Sequence, residues 1–160
     1  MRARSSPHAA EPARAARSTM RVAARRHGAI VFLEADEILA FEAKAGLWFV
    51  HSLSGTFDID VSLAEIHGSA LGPAFARVHR SWLVNLSLVR AFEQESGGAR
   101  VFVGSAIDDG KGIRVPVSRD NVQRVRAILV RRAVGLAPMR FQGDSRHRSS
   151  SRRTMATLVA

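Results

Sequence analysis

The chain predicts a mainly β fold with two short helices, the second of them amphipathic and C-terminal. Three observations lead there. Apolar and polar residues alternate in runs such as Phe57-Asp58-Ile59-Asp60-Val61 and Ile113-Arg114-Val115-Pro116-Val117, a period of two that sets one side of a strand against a core and the other in water. Glycine-centred turn signals recur at short intervals. Helical spacing is confined to two stretches.

In order, Ile30 to Phe32 and Ile38 to Glu42 are apolar runs of strand length on either side of an acidic turn at Glu34 to Glu37. Leu47 to Val50 follows the break Ala43-Lys44-Ala45-Gly46, and Ser54-Gly55 opens a strand over Phe57 to Val61. Ser62 is placed to cap a helix carrying Leu63, Ile66 and Leu71, which Gly72-Pro73 ends. Strands at Val89 to Phe92 and Arg100 to Val103 flank Ser96-Gly97-Gly98. The loop Asp108-Asp109-Gly110-Lys111-Gly112 leads to a strand from Ile113 to Val117, and Pro116, lacking a donor N–H, puts that strand at a sheet edge. Ser118 and Asp120 suit a helix start, after which Val122, Val125, Ile128 and Leu129 form one apolar stripe ending near Arg132. Arg119, Gln123, Arg124 and Arg126 lie off that stripe.

The formal charge is +10 over 160 residues, which favours an anionic partner. Its distribution matters more than its size. Residues 1–29 hold seven arginines and one acid, residues 30–132 twelve bases and twelve acids, and residues 133–160 five arginines and one acid. Both ends are rich in Ala, Arg and Ser without a sustained apolar period, so they read as disordered basic extensions of a domain spanning 30–132. Arg14, Arg17, Arg21, Arg25 and Arg26 also admit a basic helix. Within the neutral middle, acids concentrate in residues 34–60 and bases in residues 111–132, with Arg77, Arg80 and Arg90 between them.

Several chemistries are absent. The chain has no cysteine, which removes thiol catalysis, disulfides and cysteine-bound zinc. No glycine-rich phosphate loop sits between a strand and a helix. His51, His67 and His79 lack metal-ligand spacing, and no nucleophile is paired with a base. Asp58 and Asp60 share a strand face but read as solubility rather than as a cation site. An enzyme, a cofactor and a metal are therefore not expected. No apolar run is long enough to cross a bilayer and no secretory signal begins the chain, so a cytoplasmic protein is expected.

The informative stretch is Phe75-Ala76-Arg77-Val78-His79-Arg80-Ser81-Trp82-Leu83-Val84-Asn85-Leu86. Phe75, Val78, Leu83 and Val84 form an apolar frame that would hold Arg77, His79, Arg80 and Ser81 in fixed positions. The pattern resembles the signature of LytTR-type DNA-binding domains, output modules of many bacterial response regulators. Ile38-Leu39-Ala40-Phe41-Glu42-Ala43, Ser62-Leu63 and Val115-Pro116-Val117-Ser118-Arg119 resemble that family's other motifs in the same order.

The resemblance implies an elongated stack of small antiparallel sheets whose loops, rather than a recognition helix, enter successive major grooves. It implies three contact regions: Lys44 with Gly46, then His79 and Arg80, then Arg119 and Asn121. Arg80 is the leading candidate for reading guanine, since its planar fork matches O6 and N7; the competing role is an internal ion pair, for instance with Glu42. His79 is assigned more to holding the turn than to touching a base. Ser81 and Asn85 read as structural, Lys44 and Arg77 as phosphate contacts, Arg124 as a further phosphate or positioning residue, Asn121 as a partner for an adenine edge, and Trp82 as core.

Two departures from the family pattern stand out. Asp120 occupies a place where relatives often carry a base, and only about 29 residues precede the domain, too few for a receiver. The expected function is sequence-specific double-stranded DNA binding by a bacterial transcriptional regulator. Two copies on repeated promoter half-sites, nucleoid association when bound, and a separate regulatory protein are expected with it. The alternative is a degenerate domain that binds protein and contacts DNA only through its basic ends.

Overall fold

A computed structural model describes residues 20–107 and 110–135. Ten strands are described: β1 Arg21–Arg26, β2 Ala29–Glu34, β3 Ile38–Lys44, β4 Leu47–Ser52, β5 Gly55–Ile59, β6 Phe75–His79, β7 Trp82–Asn85, β8 Val89–Glu95, β9 Gly98–Gly104 and β10 Gly112–Val117. Helix α1 is Leu63–Gly68 and helix α2 is Val122–Ala133, each associated with a 3-10 turn, at Gly72–Ala74 and Arg119–Asn121 respectively. Seven strands form one antiparallel sheet in the order β2-β1-β5-β4-β3-β7-β6, and three form another, β10-β9-β8.

The large sheet has a core on each face. On one side Ile38, Phe41, Val50, Phe57, Ile59, Phe75 and Leu83 meet Leu63 and Ile66 of α1 and Val22, Ala24 and Leu33 of the β1–β2 hairpin. On the other, Leu39, Ala40, Val78 and Val84 meet Val101, Val103 and Val115 of the small sheet and Val125 of α2. Each fully buried side chain of this size contributes about 1.5–3 kcal/mol. Strand alternation fills both faces, and the pairing register is irregular between Ile38 and Ala40 and between Arg77 and His79. The residue inserted in β3 shifts the alternation, so the consecutive Leu39 and Ala40 both join the second core while Ile38 and Phe41 share the first. Val78 faces the second core by ordinary alternation from Phe75.

The strands and both helices expected from the sequence are present, with small changes of boundary. Leu63–Gly68 is shorter than expected, because Ser69 turns its N–H and hydroxyl back to the carbonyl of Ile66 and ends the helix before Leu71. Its start is a capping box: Ser62 Oγ accepts from the Glu65 N–H, and the Glu65 carboxylate accepts from the Ser62 N–H at 2.9 Å. Hydrogen bonds from the Ser62 hydroxyl and backbone hold the Glu65 carboxyl below its ordinary pKa. Strand β10 is a sheet edge, in keeping with Pro116.

One boundary is corrected. Residues 21–26, read as part of a disordered or helical basic extension, are strand β1, paired along its length with β2. Val22 and Ala24 are buried while Arg21, Ala23 and Arg25 are exposed. That is a strand period, masked in the sequence by the weak apolar signal of alanine. The remaining basic extensions, residues 1–19 and 136–160, lie outside the described residues, as do Asp108 and Asp109.

Candidate nucleic-acid interface

Three loops carry the candidate contact residues, and backbone hydrogen bonds tie them side by side. The first is the two-residue β3–β4 turn, where Ala45 (φ 52°) and Gly46 (φ 79°) are both left-handed, the type I′ geometry that closes tight hairpins. Lys44 is exposed at its entrance. The Ala43 N–H donates to the Ser81 carbonyl at 2.9 Å, joining this loop to the β6–β7 turn. The Ser118 N–H donates to the Val78 carbonyl, also at 2.9 Å, joining that turn to the segment between β10 and α2. Lys44 therefore follows one tie, Arg80 precedes the residue that closes it, and Arg119 follows the other.

The middle turn is held from within. Ser81 donates its N–H to His79 Nδ1 at 3.3 Å, and Ser81 Oγ lies 2.8 Å from the same nitrogen. A backbone N–H only donates, so Nδ1 is the accepting nitrogen and the ring proton of a neutral His79 resides on Nε2. Arg77 donates from its guanidinium to the Arg80 carbonyl, and Arg124 of α2 donates to the Arg77 carbonyl at 2.9 Å. Asn121 Nδ2 donates to Ser118 Oγ at 2.8 Å and approaches the Val78 carbonyl at 3.4 Å.

These contacts divide the candidate residues. Lys44, Arg80 and Arg119 are exposed, and among the described residues nothing forms an ion pair or hydrogen bond with their side-chain nitrogens. Arg77, His79, Ser81, Asn121 and Arg124 direct polar atoms inward and brace the loops. Gly46 supplies the turn. The internal partner considered for Arg80 is engaged elsewhere, since Glu42 meets His51 Nε2 at 3.0 Å.

The stretch 28–130 matches the family model of the LytTr DNA-binding domain. The chain belongs to the LytTr DNA-binding domain family. It is 36% identical over 99 residues to the CO-responsive transcriptional regulator RcoM of Rhodospirillum rubrum, a match covering 61% of this chain and 40% of that regulator. The chain thus spans well under half of the relative's length. Its fold resembles a solved LytTr DNA-binding domain from Bacillus cereus at a TM-score of 0.56 and 22% identity, over 72% of this chain and 97% of that one.

The LytTr family is one of DNA-binding domains, not of enzymes. Strand β1 lies ahead of the matched stretch. Among the described residues no helix is long and apolar enough to cross a membrane.

Two features of this LytTr domain went unread in the sequence. Trp82, expected as core, is half-buried and stacked on His51, ring centroids 5.1 Å apart, and His51 Nδ1 also meets Thr56 Oγ1 at 3.0 Å. No local signal joins residues from three separate strands. Second, Arg100 lines a groove with His79, Ser118 and Arg119, between the middle turn, the third loop and the β8–β9 turn. Glu93, Glu95 and Asp120 line the same groove, so its charge is mixed.

Proposed function

We propose that this LytTr domain binds double-stranded DNA sequence-specifically, as part of a bacterial transcriptional regulator, by presenting the three tied loops to the major groove. The observation that carries the reading is the pair of ties Ala43–Ser81 and Val78–Ser118, which hold Lys44, Arg80 and Arg119 on adjacent loops with their charges unpaired inside the domain. In this reading Arg80 meets guanine, Lys44 and Arg119 meet phosphate or base edges, and Asn121 acts chiefly by fixing the third loop. That the relative RcoM is a transcriptional regulator supports the regulatory role of the shared domain. Two copies on repeated half-sites would supply the affinity that one small module lacks. A cytoplasmic location follows from the same role.

Selection of bound fragments from random DNA by the whole chain tests the proposal. An enriched sequence is expected, and Arg80→Ala should weaken binding to it by roughly 5- to 150-fold, the equivalent of about 1–3 kcal/mol for a bidentate base contact, while sparing nonspecific DNA. A folded chain that enriches no sequence refutes specific reading and favours a protein-binding module. Equal losses on specific and nonspecific DNA make Arg80 a phosphate clamp.

A further inference from the structure

The edges of the two sheets are guarded, with one exception. On the large sheet, the outer carbonyls of β6 at Arg77 and Val78 are taken by Arg124 and Ser118. On the small sheet, β10 carries Arg114 and Pro116 and β8 carries Arg90, Glu93 and Glu95. These are the devices that stop strands from pairing with other chains. Strand β2 has none of them between its ends: it reads Ala29-Ile30-Val31-Phe32-Leu33-Glu34 and is the other edge of the large sheet. Ile30 and Phe32 are each 66% exposed.

The register fixes which backbone groups face outward. Ala35 donates its N–H to the carbonyl of Met20, continuing the β1–β2 pairing. Hydrogen-bonding direction alternates along a strand, so Ala29, Val31 and Leu33 point their N–H and C=O groups toward β1 while Ile30 and Phe32 point theirs away. No partner for the outward groups of Ile30 and Phe32 is present among the described residues.

We propose that β2 is a homodimerisation edge, pairing antiparallel with β2 of a second copy of this chain about a two-fold axis at Val31. In this register Ile30 and the other copy's Phe32 exchange both backbone hydrogen bonds and stack apolar side chains on one face, and the axis repeats the exchange. Charge selects the same arrangement. The hairpin is basic at its turn, where Arg26 is exposed, and acidic at its far end, where Asp36 and Glu37 lie beyond the Arg21–Glu34 ion pair. Antiparallel self-pairing brings the acidic end of each copy to the basic end of the other, whereas parallel pairing sets like against like. A single six-residue edge is a small interface, so the dimer is weak and dissociates on dilution.

The chain has no cysteine, so one substitution tests the geometry. Val31 falls opposite itself as a non-hydrogen-bonded pair with Cα atoms about 4.5 Å apart, within the roughly 4.4–6.8 Å that a disulfide spans. In the full chain without DNA, Val31→Cys is expected to form a cross-linked dimer under mild oxidation much faster than Val130→Cys, although Val130 is itself exposed at 57%. Sedimentation of the unmodified chain should show a monomer–dimer equilibrium that weakens with salt. Ile30→Lys and Phe32→Lys, at exposed sites that leave the fold intact by circular dichroism, should each raise the dimer dissociation constant at least about tenfold. A chain that sediments as a monomer at its highest soluble concentration overturns the proposal, as does a Val31→Cys variant that cross-links no faster than Val130→Cys. Because no DNA is present, neither result bears on loop-mediated reading.

Discussion

Asn85 offers the sharpest test of how the loops are carried. It closes β7 at 3% exposure, and its amide Nδ2 donates to the Ala35 carbonyl at 3.1 Å and to the Ile38 carbonyl at 2.9 Å. Its Oδ1 accepts from the Ser87 N–H at 3.0 Å. One side chain thus fastens the connection between β2 and β3 to the strand that begins beside the middle turn. Asn85→Leu keeps most of the volume but leaves two carbonyls and an N–H without this partner. At about 1 kcal/mol for each lost bond the cost is about 3 kcal/mol, a large part of the roughly 5–15 kcal/mol that stabilises a domain. The thermal midpoint should fall by on the order of 10–20 °C. Asn85→Asp retains the acceptor for Ser87 but turns an anion toward two carbonyl oxygens, so near neutral pH it should cost at least as much. Urea unfolding with a constant m-value measures both. A loss under about 1 kcal/mol for Asn85→Leu, or a near-native Asn85→Asp, would refute the reasoning.

Three further outcomes are expected. Lys44→Gln should lower the slope of log affinity against log salt by about 1 without changing the preferred DNA sequence, as read from binding isotherms at several salt concentrations. Ala45→Asn should stabilise the domain by about 0.5–1 kcal/mol in urea unfolding, because Asn tolerates the left-handed conformation that alanine holds at strain in this type I′ turn. In an NMR pH titration the Glu65 carboxyl should protonate below an ordinary glutamate. A depressed native value means that its contribution to stability is present above the unfolded value and is lost as pH falls through the folded one. Ser62→Ala, which removes the partner causing the depression, should bring the titration back toward the ordinary range.

Local chemistry made much of this legible. Alternation located β5 and β10, short apolar runs between turn signals located β2, β3, β4, β8 and β9, Gly46 and Gly55 marked turns, and Ser62 marked the start of α1, whereas β6 and β7 were not among the expected strands. The basic triplet within an apolar frame pointed to the middle turn, and Phe75, Val78, Leu83 and Val84 are all buried as that frame requires. Relations between distant residues stayed hidden. Asn121 offered base-reading chemistry on paper, yet its amide is drawn inward to Ser118 and Val78 by the packing of α2 on β6. Arg77, expected at phosphate, and Arg124, expected at phosphate or in a positioning role, donate to carbonyls at the root of the middle turn. Strand β1 escaped notice because two small buried residues between arginines give almost no hydrophobic contrast.

The same contacts explain how an almost neutral domain keeps a few cations available. Arg21 meets Glu34, Arg25 meets Asp60, Arg114 approaches Glu93 at 3.6 Å, and Glu42 meets His51. Each pair is local to its own stretch of sheet. The decisive one is the last. Glu42 lies directly across from Trp82 in the β3–β7 register, two residues beyond Arg80, and is the acid the sequence offers as a competitor for that arginine. With one carboxylate oxygen on His51, and His51 held by Thr56 and stacked on Trp82, Glu42 is drawn along the sheet instead of toward the turn. Releasing it should therefore hurt the proposed reading head without touching it: His51→Ala frees the carboxylate to compete for Arg80, and should reduce specific DNA affinity in wild type but not in an Arg80→Ala background.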